Sequence, residues 1–128
     1  MEVAAVAGDD VRVRRVYEEP AETDGARILV DRLWPRGVSK DHAHLTEWLK
    51  TVAPSPELRE WYGHVPERFE EFSRRYRAEL DQPERTAALE HLRDLAAVGP
   101  VTLLTATRKP ELSEAAVLAS VLRAEGSE

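Results

Sequence analysis

The residues in this chain best suited to chemistry stand together in Ile28 to Lys40, which reads ILVDRLWPRGVSK. Three apolar, β-prone residues end abruptly in Asp31 and Arg32, with Trp34, Arg36 and Lys40 close behind. A carboxylate can act as a general base or orient a substrate, guanidinium groups clamp anions through forked donors, and an indole offers a stacking wall. Ligands of parallel sheets bind beyond the carboxyl ends of the strands, so these side chains are expected at a functional rim. Pro35 disfavours helical geometry at Trp34 and Gly37 permits a sharp turn, which together turn the chain away from the sheet. The alternative is structural: Asp31 pairs with Arg32 or Arg36 and Trp34 simply packs. One carboxylate cannot neutralise two guanidinium groups, so that alternative needs Glu60 or Glu111 nearby, and otherwise a ligand anion takes the spare cation.

Other candidates lie further along. Thr105, Thr107 and Arg108 follow a second apolar run, VTLLTAT, and belong to the same rim if the two strands are parallel. His64 sits between Gly63 and the helix start at Pro66, where it could exchange a proton near neutral pH or merely occupy a loop. His42 and His44 are two residues apart, which does not place them on one helix face, and no carboxylate completes a set, so no metal site is expected. No P-loop, GxGxxG fingerprint or GxSxG elbow is present.

The elements that must position these groups follow from periodicity. Val11, Val13 and Val16 suggest a first strand with arginines on its polar side; the loop to Ile28 is short for a parallel crossover, so its pairing stays open. Ile28–Val30 is a buried second strand. Leu45, Trp48, Leu49 and Val52 recur at helical spacing, predicting a helix from about Ser39 to Thr51 with Trp48 on its core face. Ser55 is placed to cap a helix from Pro56 to about Tyr62. A longer helix opens at Pro66 with Phe69, Phe72, Tyr76 and Leu80 inward and arginines and glutamates outward. Another follows Pro83 and stops at Gly99-Pro100. Val101–Thr107 is a further strand, and Glu111–Ala124 is the last helix. The order predicts a single α/β domain over 11–125, with a small, mostly parallel sheet of about three strands flanked by several helices. Residues 1–10 are expected to be a disordered tail, without the basic start and apolar stretch of a secretion signal.

Composition limits the function. At 128 residues the chain has room for one core, and a net charge of −6 disfavours generic binding to nucleic acid or membrane surfaces. No apolar run is long enough for a span. The absence of cysteine excludes disulfides, thiolate catalysis and iron–sulfur clusters and points to the cytoplasm; no cofactor is implied.

Several segments are also familiar. RVYE at Arg15–Glu18, DGARILVDRLWPRG, LTEWLKTVAPSPELREWYGH, ERFEEFSRRYRAEL and VTLLTAT resemble the YeaO-like branch of the bacterial family numbered four hundred and eighty-eight among domains of unknown function. The resemblance runs from Val11 to Leu122 and implies an α/β fold with no established activity. The family pattern is matched at Asp31, Arg32, Trp34, Pro35, Arg36, Gly37, Lys40, Trp48, Lys50, Pro54, Ser55, Leu58, Arg59 and Tyr76. The C-terminal part departs from it: Thr105 stands in place of a Tyr, Thr107-Arg108-Lys109 in place of an Ala-Lys-Asp loop, and Ser113-Glu114 in place of an Asn-His.

Two functional classes fit. One is a small enzyme for an anionic or nucleotide-like substrate, with Asp31 and His64 as catalytic groups and Arg32, Trp34, Arg36, Lys40, Arg59, Thr105 and Arg108 binding substrate. Ser55, Thr105 or a water would have to supply the nucleophile. The other is a binding module for an anionic metabolite or a short single-stranded nucleic acid. A closed pocket favours the first; an open stripe joining Arg12, Arg14, Arg36 and Lys40 favours the second.

Overall fold

The computed structural model describes residues 10–126. The expectation about the tail therefore lies outside the described residues except at Asp10, whose carbonyl accepts from the Val101 N–H at 3.0 Å. Four strands form one parallel sheet in the order β1 (Val11–Arg15), β4 (Val101–Thr105), β2 (Ala26–Leu29) and β3 (Glu47–Trp48). Ile28 lies opposite Leu103 and Leu29 opposite Leu104, so the two apolar runs do neighbour each other in parallel, and all four side chains are buried. Both runs turn polar at the same end of the sheet.

The first strand is parallel as well. The connection from β1 to β2, residues 16–25, is short, but ten extended residues can reach up to roughly 33 Å. That is enough to return along five residues of strand and pass one intervening strand. The turn is held by Asp24, which accepts from Arg14 Nη1 at 3.0 Å, from Arg27 Nη1 at 2.5 Å and from the Ala21 N–H at 2.9 Å. Arg27 also donates to the carbonyls of Ala43 and His44. Burial would raise the Asp24 pKa, but the Ala21 N–H and the two guanidinium groups outweigh it and hold the carboxyl below its usual range. Gly25 follows at φ +65, where an added Cβ would lie 2.1 Å from the Pro100 carbonyl oxygen. Only glycine permits that approach.

One face of the sheet carries the main core, with α2 (Pro56–Tyr62), α3 (Phe69–Glu79), α4 (Pro83–Val98) and α5 (Glu114–Gly126) supplying its side chains. Tyr62, Phe72 and Tyr76 form a ring ladder, with centroids 4.4 and 5.8 Å apart. Ser55 caps α2 by accepting from the Leu58 N–H, with Pro56 at the first turn and Gly63 closing the helix in the left-handed conformation. The outer face of α3 is laced by Glu71, which pairs with Arg74 and Arg75.

The helix expected from Ser39 to Thr51 does not form. Ser39 caps a single turn, α1 (Lys40–Ala43), which ends at His44 with φ 49. The chain then pairs along β2 as the edge strand β3 before a 3-10 turn at Lys50–Val52. The apolar spacing had a different cause: Leu45 and Trp48 pack on the second face with Val16, Leu29 and Leu104, whereas Leu49 and Val52 enter the main core. The segment thus passes from one side of the sheet to the other. Trp48 is half-buried on that second face, not on a helix, with its indole N–H donating to the Asp31 carbonyl at 2.8 Å. The last helix also starts later than expected. Pro110–Leu112 forms a 3-10 turn, Ser113 is extended, and α5 begins at Glu114.

Candidate functional site

The carboxyl ends of β2 and β4 open into a cavity of about 730 Å³. Asp31 leaves β2 at its floor, and its carboxylate accepts from the Thr105 hydroxyl and from the Ala106 N–H, each at 2.8 Å. It therefore makes no ion pair with Arg32 or Arg36, and the paired arrangement weighed for this motif is absent. Its acidic neighbour is instead Glu114, in the first turn of α5, close enough for the two carboxyl groups to interact. Glu60 and Glu111, the acids considered from sequence, do not line the cavity; Glu114 does.

Two carboxyl groups in contact cannot both be ionised at low cost. Burial first, then the hydrogen bond to Asp31 and the Asp31 charge, raise the Glu114 pKa well above the usual carboxyl range. Its own backbone N–H and the Arg59 charge oppose the shift without cancelling it. Glu114 as a residue retains partial exposure, but its carboxyl group is the desolvated end. The donors divide unequally between the two groups: the Asp31 carboxylate accepts from Thr105 and Ala106, and the raised carboxyl is that of Glu114. Burial and the nearby Glu114 also push the Tyr62 phenol upward.

Above this floor stand five cationic side chains, Arg32, Arg36, Arg59, Arg108 and Lys109. Among the described residues none of them makes an ion pair with a carboxylate. Arg32 is the most constrained, donating from Nη2 to the Pro54 carbonyl at 3.1 Å while its Nε is buried without a partner. The apolar wall is built by Trp34, Tyr62 and Phe72. Trp34 packs edge-on against Trp48 at 5.3 Å and donates from its indole N–H to the Val38 carbonyl at 2.6 Å, which fixes the ring. Tyr17 and Leu33, both exposed, form part of the rim, and the Tyr17 hydroxyl donates to the Arg36 carbonyl. His64 reaches the cavity from a left-handed backbone position at φ 59.

Most of the residues singled out from sequence meet here: Asp31, Arg32, Trp34, Arg36, Arg59, His64 and Arg108 all line the cavity. Two do not. Lys40 is exposed at the start of α1, because the chain turns away after Gly37. Thr105 is fully buried and holds Asp31 from behind, so its hydroxyl is a support and not a ligand contact. The proposed stripe is also absent, since Arg12 pairs with Asp10 and Arg14 with Glu18 and Asp24, outside the cavity. Glu114 and Lys109 were missed. The available signals were Pro110, which favours a turn, and Ser113 as a cap: its hydroxyl accepts from the Ala116 N–H at 3.4 Å. Among the described residues no cluster of His, Asp or Glu could hold a metal.

Fold and site together define a small parallel α/β domain with a concave, cation-rich pocket at the carboxyl ends of its strands. The chain belongs to the family described as the inactive DUF488-N3 subclade, which it matches over residues 10–128. It is 54% identical over 112 residues to the uncharacterised protein Rv3073c of Mycobacterium tuberculosis strain H37Rv, covering 88% of this chain and 92% of that one. It is 42% identical over 115 residues to the uncharacterised protein YeaO of Escherichia coli strain K12, covering 89% and 97%. No solved structure matches.

Proposed function

We propose that this protein is a small-molecule binding domain whose cavity takes an anion. The observation that carries the reading is the imbalance of charge around a concave space: five cationic side chains line it against two acidic ones, Asp31 and Glu114. A volume of about 730 Å³ falls in the range of small-molecule sites. A concave site, in place of an open stripe, favours a compact ligand over a strand of nucleic acid. The family's description as inactive favours binding over turnover. The reading includes a cytoplasmic location, supported by a chain without cysteine, and no helix of the described residues is long and apolar enough to cross a membrane.

Catalysis remains the second reading, and one observation favours it. A Glu114 carboxyl raised by burial and by the neighbouring Asp31 is the kind of perturbed acid that acid–base chemistry uses, with His64 at the mouth. Against it stands the engagement of both candidate hydroxyl nucleophiles: Thr105 is committed to Asp31, and the Ser55 hydroxyl is committed to Glu79.

The test is thermal denaturation of wild type and Arg36→Ala with inorganic phosphate or pyrophosphate. A ligand that binds only the native state at about a hundred times its Kd adds about 2.7 kcal/mol of stability. Wild type should gain melting temperature with anion concentration at constant ionic strength, and Arg36→Ala should gain much less. Equal response of the two proteins, or none, would remove the reading.

A further inference from the structure

We propose that the anion is a phosphorylated sugar, its phosphate held among the cavity's guanidinium groups and one of its hydroxyls donating to Glu114. This rests on the anion-binding reading and adds the part of the ligand that is not charged. The floor decides it. Each Asp31 oxygen already accepts a hydrogen bond, from Thr105 and from Ala106, so Asp31 is committed to the protein. Glu114 lines the same cavity beside Asp31 and is the remaining acidic acceptor there, among charged walls that are otherwise donors. A bare anion offers that acceptor nothing, and a neutral sugar leaves the cations unanswered. A ligand with both an anionic group and an O–H donor satisfies both ends.

The charge and the donor type narrow the class further. Five cations against the two carboxyl groups of Asp31 and Glu114 exceed what a single carboxylate ligand needs, and they suit a phosphomonoester dianion, which arginine forks bind through paired oxygens. An ammonium donor would meet the same acceptor but would be repelled by Arg59, whose charge already acts on Glu114. A hydroxyl carries no such cost. The wall of Trp34, Tyr62 and Phe72 covers the apolar face of a sugar ring, whether the sugar is free or part of a nucleotide.

The experiment is titration calorimetry of the full chain with ribose 5-phosphate, inorganic phosphate, ribose and adenosine monophosphate. Ribose 5-phosphate should bind at least about tenfold tighter than inorganic phosphate, one hydrogen bond to a desolvated acceptor being worth about that factor. Ribose should not bind measurably. Adenosine monophosphate binding tighter than ribose 5-phosphate would support the sugar phosphate of a nucleotide; the reverse order would support a free sugar phosphate. In Glu114→Ala the preference over inorganic phosphate should disappear, and in Glu114→Gln it should return, because the amide can donate to Asp31 and still present its oxygen. The exposed Arg59→Ala should weaken both anions together. Equal affinity of wild type for ribose 5-phosphate and inorganic phosphate would overturn the sugar assignment and leave the anion reading standing. Failure of every anion to bind would overturn both.

Discussion

Burial and the neighbouring Asp31 raise the Glu114 carboxyl, and that sets a pH dependence. The Glu114 carboxyl is raised above its ordinary value of 4.5, so the folded state holds this proton more tightly than the unfolded chain does. Its favourable contribution is complete below that ordinary value and is lost as pH rises toward the folded value, by at most about 1.4 kcal/mol per pH unit. Glu114→Gln does not titrate. Its melting temperature relative to wild type should therefore rise as pH increases above that ordinary value, and a difference that stays flat would contradict the raised Glu114 carboxyl. Trp48 carries a second residue-scale prediction. Its half-buried ring and its bond to the Asp31 carbonyl make Trp48→Ala cost about 2 kcal/mol, below the range for fully buried aromatics, as urea denaturation would measure. Asp31 was legible in the sequence because an apolar strand ends on it. Glu114 was not, because nothing in the spacing of Ala115, Leu118 and Leu122 fixes where the helix begins; the turn at Pro110 and the extended Ser113 decide that.

At the scale of elements, the strands and most helices follow from local signals: continuous apolar runs for β2 and β4, Ser55-Pro56 for α2, Pro83 and Gly99 for α4. The stretch 39–51 did not, and the reason is physical. Side chains that leave alternately for two sheet faces can imitate helical spacing when the strand is two residues long and flanked by turns. The return from β1 to β2 was equally hidden, since its stability comes from contacts distant in sequence. Asp24 joins two arginines and backbone at that turn, and removing its charge leaves the buried Arg27 without a carboxylate and Arg14 with Glu18 alone. Asp24→Asn should cost about 3 kcal/mol. Because the Asp24 carboxyl is held below its ordinary value of 3.8, its contribution is present above that value and is lost as pH falls through the folded one. The variant's deficit should accordingly be large at pH 6 and shrink in strong acid. Gly25→Ala should be destabilised at every pH, because its obstacle is the Pro100 carbonyl and not a charge.

For the whole molecule the informative contrast is between a chain of net charge −6 and a cavity dominated by cations. Some of the glutamates that make the protein acidic are committed elsewhere: Glu71 to α3's own arginines, Glu79 to Ser55, Glu47 to His91. Within the cavity the arginines make no ion pair with a carboxylate, so an anion entering it meets several unneutralised positive charges, of which Arg32 is partly buried and held by the Pro54 carbonyl. The most direct test of that claim is a titration of the ¹⁵N-labelled protein with inorganic phosphate, followed by NMR. The account predicts saturable shifts confined to the backbone amides of Arg32, Arg36, Ala106, Thr107, Ser113 and Glu114 and to the side-chain signals of Arg32 and Arg59. Shifts that fail to saturate, or that spread over the arginines of β1 and the outer face of α3, would contradict it.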